Sequence, residues 1–81
     1  MMTNKEKYEA FIASIDTSVA GRDGHRDLRW HIECCAEANA TDMQREGTAT
    51  RTEAGWYAAA LATAEMCLDD WKGHFPQLIK R

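Results

Sequence analysis

Eighty-one residues carry a formal charge of −3 and an apolar share of 44 %. That length allows one domain near the lower limit for independent folding, the composition excludes a disordered chain, and the acidic balance argues against a nucleic-acid binder. No apolar run approaches the ~20 residues of a membrane helix, and no apolar stretch follows Lys5 and Lys7 to make a signal peptide, so a cytosolic protein is expected.

The first predicted helix covers about residues 4–19. Thr3 and Glu6 have the spacing of a capping box, in which hydroxyl and carboxylate each satisfy a free backbone N–H. Tyr8, Phe11, Ile12, Ile15 and Val19 follow at three- and four-residue steps and make one apolar face. Gly21 is the expected stop, because glycine takes the left-handed conformation cheaply. Gly21 to Gly24 then form a tight connector.

The second predicted helix covers about residues 25–41. It starts near Asp23 or Gly24, with Asp27 in a first turn where negative charge suits the helix dipole. Leu28, Ile32, Cys35 and Ala36 form its core line, and Trp30 and Cys34 lie on another side. The end is set at Ala40 or Thr41, the alternative being a run to Arg45 ended by Gly47. Nothing apolar repeats between Met43 and Thr50, which is read as a loop.

The third predicted helix covers about residues 51–72, with Thr50 and Glu53 as a second capping box. Its alanines favour helix and let another helix approach closely. Gly55, costly this near the start of a helix, suggests room left for a neighbouring backbone. Tyr57, Ala60, Ala64, Cys67 and Trp71 make one stripe, widened by Leu61 and Leu68. Trp56, Ala59, Thr63 and Met66 make a second. A surface helix normally has one apolar band, so two bands predict burial on two sides and a partner, a homodimer being expected. Gly73 and Pro76 end the helix. The tail, residues 74–81, carries Phe75, Leu78 and Ile79 and is expected to fold back from Pro76. The fold class is therefore all-α: a three-helix unit with a long antiparallel hairpin of the second and third helices, the first lying across it, and a short C-terminal tail.

Catalysis is not expected. His25, His31 and His74 belong to different elements, no serine has an evident base, and Asp69 and Asp70 are adjacent and so diverge on a helix. Cys34, Cys35 and Cys67 do not make a disulfide framework, and Cys35 and Cys67 are read as small core residues. His31, Cys35 and Cys67 could approach one another, but zinc usually takes four ligands at recognisable spacing, so no metal and no cofactor are expected. The residues predicted to bind a partner are Trp30, Trp56, Tyr57, Asp69, Asp70 and Trp71. Here the aromatics serve as anchors and the two aspartates form an acidic rim beside Trp71. Arg22, Arg26 and Arg29 gather near Trp30 at helical spacing. If they converge on a pocket, the chain reads instead as a small-molecule or nucleotide sponge; an antagonist of a bacterial immune complex is a further alternative.

The segment Glu37–Asp42, with a polar loop after it and an aromatic-then-alanine helix (Trp56, Tyr57, Ala58 to Ala60, Leu61, Leu68), resembles the small early proteins of transposable phages. That group includes anti-quorum-sensing and twitching-inhibitory proteins. The resemblance runs from Trp30 to Trp71, about half of the chain. It implies a short helical protein in the cytoplasm of a host bacterium, which binds and disables a host protein there. The implied targets are a quorum-sensing transcription regulator or the type IV pilus assembly ATPase.

Overall fold

In a computed structural model the chain is described over residues 1–18 and 27–74, the last three by backbone alone. Three helices make up the regular structure: α1 (Asn4–Ala13), α2 (Leu28–Glu46) and α3 (Glu53–His74). There is no strand among the described residues, so the all-α expectation holds.

The capping box of α1 is present in both directions. The Glu6 N–H donates to Thr3 Oγ1 (3.1 Å), and the Thr3 N–H donates to Glu6 Oε1 (2.8 Å). The helix stops at Ala13, short of the expected Val19, which lies outside the described residues together with Gly21 and the connector. The reason is local polar chemistry. Ser14 Oγ donates to the Phe11 carbonyl (2.6 Å), and Asp16 accepts from the Ser18 N–H and hydroxyl (2.8 and 2.7 Å). Short polar side chains offer the backbone an alternative to the helical ladder. Ile15 is nevertheless buried beyond the helix end.

The second helix starts later and ends later than its periodicity implies. Asp27 is the N-cap, not a first-turn residue, and accepts from the Trp30 N–H (2.8 Å). At the other end α2 continues past Ala40 to Glu46. Gly47 takes the left-handed conformation (φ 84°), its N–H donates to the Gln44 carbonyl (3.3 Å) and the Thr48 N–H to the Met43 carbonyl (2.9 Å). This is a Schellman motif. The expected loop from Met43 is therefore half helix.

The N-cap role on α3 falls to Thr52, whose Oγ1 accepts from the Gly55 N–H (3.0 Å); the predicted pairing of Thr50 with Glu53 is not the cap. The helix runs on to His74 instead of ending near Lys72. Residues 75–81, and with them the expected folding of the tail, lie outside the described residues.

Paired contacts fix the arrangement. Asn39 on α2 meets Thr63 on α3 (Nδ2 to Oγ1, 2.9 Å), and His31 meets Trp71 (ring centroids 5.8 Å), so α2 and α3 run antiparallel. Ala36, Ala40, Ala60 and Ala64 are fully buried. Helix α1 sets Asn4 against Ala54 and Tyr8 against Trp56 and Tyr57, and its end against Arg29. It therefore runs with α3 and against α2.

The two stripes of α3 are thereby shared out inside one chain. Ala59, Ala60, Ala64 and Trp71 are buried, and Trp56, Tyr57, Leu61, Cys67 and Leu68 are half-buried against the core. Met66, 70 % exposed, is the one large apolar side chain of α3 left outside among the described residues. This corrects the expectation that the third helix leaves an uncovered band for a partner: α1 and α2 together are wide enough to cover it.

The close neighbour of Gly55 is the backbone of Thr50. A Cβ at Gly55 would fall on the Thr50 carbonyl oxygen and 2.8 Å from Thr50 Cβ. Alanine is ordinarily better than glycine in a helix by about 1 kcal/mol, but here the loop would have to move. Gly55→Ala is expected to destabilise by about 1–3 kcal/mol, as overpacking does, and to lower Tm in a thermal melt by roughly 5 °C or more. A raised Tm would refute the close approach.

Candidate functional site

The loop end of the hairpin, where α2 turns into α3, is held by two reciprocal side chains. Gln44 Nε2 donates to the carbonyls of Thr50 and Thr52 (both 2.9 Å). Arg51 answers from the other side, Nε to the Gln44 carbonyl (2.8 Å) and Nη2 to the Arg45 carbonyl (3.2 Å). A guanidinium at these carbonyls satisfies the last acceptors of α2 and suits the negative end of its dipole. Arg45 bonds Asp42 (2.9 Å) with its side chain 71 % exposed, so the pair contributes little to stability.

Beside this clasp lies a shallow, largely open groove of about 630 Å³, lined by Gln44, Arg45, Arg51, Thr52, Glu53, Trp56 and Tyr57. Trp56 and Tyr57 stand edge to face at 4.9 Å, and Tyr8 completes the aromatic cluster at 6.4 and 5.8 Å from them. Trp56 Nε1 donates to Thr41 Oγ1 on α2 (3.1 Å). The indole is thus fixed in position, half-buried, with part of its surface on the groove.

Behind the groove, Tyr8 is 3 % exposed and its hydroxyl donates to Glu37 Oε2 (3.0 Å). Burial, and then the Glu37 carboxylate, push the phenol well above its ordinary range.

The six predicted partner-binding residues separate into two groups. Trp56 and Tyr57 share the groove. Trp71 lies at the opposite end of α3, fifteen residues on, or about 22 Å along a helix. It is 6 % exposed and packed against His31, which corrects its expected role as an exposed anchor. Asp69 and Asp70 are exposed beside it, so an acidic rim encloses no accessible indole there. Trp30 is half-buried in the first turn of α2. Of the arginine cluster, Arg22 and Arg26 lie outside the described residues. Arg29 is committed to the backbone, donating to the carbonyls of Ala13 (2.7 Å) and Ile15 (3.2 and 3.1 Å). Its guanidinium is engaged by backbone carbonyls, one of them the last carbonyl of α1.

Gln44, Arg45 and Arg51 were not among the residues the sequence singled out. The available signal was a basic residue in the last turn before Gly47 and another just before the next helix, where cations favour a C-terminal dipole. Among the described residues no group of three His, Cys, Asp or Glu side chains is placed to hold a metal ion, and no helix is long and apolar enough to cross a membrane. Comparison with protein-family models, curated proteins and solved structures finds no match to this chain.

The Tyr8 hydrogen bond has a definite pH signature. The neutral phenol is favoured in the folded chain, so its contribution is complete below the ordinary tyrosine value near 10 and is lost as pH rises through the raised folded value. In an absorbance titration, wild type and Tyr8→Phe should develop the same phenolate signal up to the alkaline unfolding transition. Extra phenolate in folded wild type near pH 10 would show that Tyr8 is not held neutral.

Proposed function

We propose that the chain is a non-enzymatic inhibitor that binds a host bacterial protein in the cytoplasm, in the manner of the small early proteins of transposable phages. A pilus assembly ATPase and a quorum-sensing regulator are the targets the resemblance suggests. The observation that carries the reading is the groove at the loop end of the hairpin, where two half-buried aromatics and two arginines line one surface. Aromatic and arginine side chains together are the usual composition of interface hot spots. The mechanism is steric: the groove takes a surface segment of the target and keeps it from its own partner.

The contact proposed here differs from the acid-rimmed face around Trp71. Arg45 and Arg51 outnumber Glu53 in the groove lining, so complementarity favours a target segment with an apolar side chain for Trp56 and Tyr57 and a carboxylate beside it. A homodimer was expected in order to cover a surplus stripe of α3. Most of that stripe is covered within the chain, Met66 excepted, and a monomer is the form proposed to bind the target.

Arg45 is the probe of choice, because its exposed side chain can be changed with little effect on folding. Titration calorimetry against each purified target should show binding by wild type. Arg45→Glu should bind at least ~10-fold more weakly, with an unchanged melting curve. Absence of wild-type binding to both proteins would remove the proposed targets. Equal affinity of the variant would remove the groove as the contact.

A further inference from the structure

The α2–α3 seam brings together two side chains that no activity described above uses. Asn39 meets Thr63 at 2.9 Å, and His31 meets Trp71 at a ring separation of 5.8 Å. Moving one helical turn from the first pair toward the second, four residues back on α2 and four forward on α3, arrives at Cys35 and Cys67. Residues four apart share a helix face, so in an antiparallel pair the two cysteines occupy the layer between two observed contacts. The neighbouring alanines, Ala36 and Ala64, are fully buried and hold the helices close at this level. Both cysteines are half-buried free thiols, and Cys35 is among the groups acting on the Cys67 thiol. Cys34, on the next position round the helix, is exposed.

We propose that Cys35 and Cys67 are an oxidisable pair that closes to a disulfide across the hairpin. The oxidant would be a low-molecular-weight disulfide such as oxidised glutathione. One cysteine, as its thiolate, attacks a glutathione sulfur. The glutathione S–S bond breaks, and one glutathione leaves as thiolate and takes up a proton. The second cysteine then loses its proton and attacks the protein sulfur of the mixed disulfide, expelling the second glutathione. Two protein thiols are oxidised and one glutathione disulfide is reduced to two thiols. Burial raises the Cys67 thiol above its ordinary value, so less thiolate is present at neutral pH and closure is slower than at an exposed cysteine. The bond would tie the middle of α2 to the last turns of α3, closing a loop of about thirty residues, the range in which crosslinks restrict the unfolded chain strongly.

The test uses the whole chain with Cys34→Ala, which removes the exposed competitor and leaves the pair. The protein is incubated with oxidised glutathione, quenched by alkylation and analysed by intact mass, peptide mapping and thermal melting. The expected result is a monomer lighter by two hydrogens, a mapped Cys35–Cys67 crosslink, and a Tm raised by about 10 °C or more. The rise should disappear on reduction and be absent in a Cys34→Ala, Cys67→Ser variant treated alike. Recovery of both cysteines as stable glutathione adducts, as alkylated thiols, or in an intermolecular bond would overturn the proposal. So would a mapped crosslink that lowers Tm, because it would mean that the folded seam does not bring the sulfurs together.

Discussion

The structure depends on close contact between α2 and α3 along a line of alanines. Ala36, Ala40, Ala60 and Ala64 are fully buried, and each contributes little apolar area of its own. What they provide is proximity. Packed interiors gain from many weak dispersion contacts that fade within an ångström of separation, and small residues let two backbones come within that range. Larger residues then close the layer from its edges: Leu28 and Ile32 from α2, and Trp71 from α3. A chain this short has little core to spare, so the seam accounts for how it can fold as one unit.

Helix α1 is held to that hairpin by polar contacts at defined points as well as by burial. Asn4 reaches the Ala54 carbonyl, Tyr8 reaches Glu37, and Arg29 reaches back to the last carbonyl of the helix. Each contact comes from a different level of the bundle. Together they position Tyr8 under Trp56 and Tyr57, so the aromatic cluster at the groove is built from two helices and braced by a third. The cationic character of the groove has a separate origin. Arg51 lines it while terminating α2, and a residue needed for chain reversal is thereby also presented to the outside.

The helices were legible where periodicity and caps agreed. Thr3 with Glu6 located the start of α1, and the apolar spacing of Tyr8 and Ile12 identified its buried face. Boundaries governed by side chain to backbone bonds were less legible. Nothing in the spacing of Ile15 and Val19 reveals that Ser14 and Asp16 will turn the chain first. The extension of α2 beyond Ala40 depends on a glycine cap and an arginine from across the loop, neither of which has a periodic signature. Half of the groove was visible, since Trp56 and Tyr57 stand out in any reading. The arginines did not, because their placement follows from how the loop closes. Trp71 failed as an anchor for a related reason: apolar stripes report which faces of a helix are buried, and say nothing of whether the covering surface belongs to the same chain.

Arg29 also bears on how α1 ends. An isolated helix of ten residues is marginal in water even with a good N-terminal cap. At the far end of α1 the carbonyls of Ala10, Phe11 and Ile12 accept from the backbone N–H groups of Ser14 and Ile15, and that of Ala13 accepts from Arg29 in the first turn of α2. The last carbonyl of α1 thus gains its partner only when α2 lies against it. The helix end and its docking are therefore completed by the same side chain.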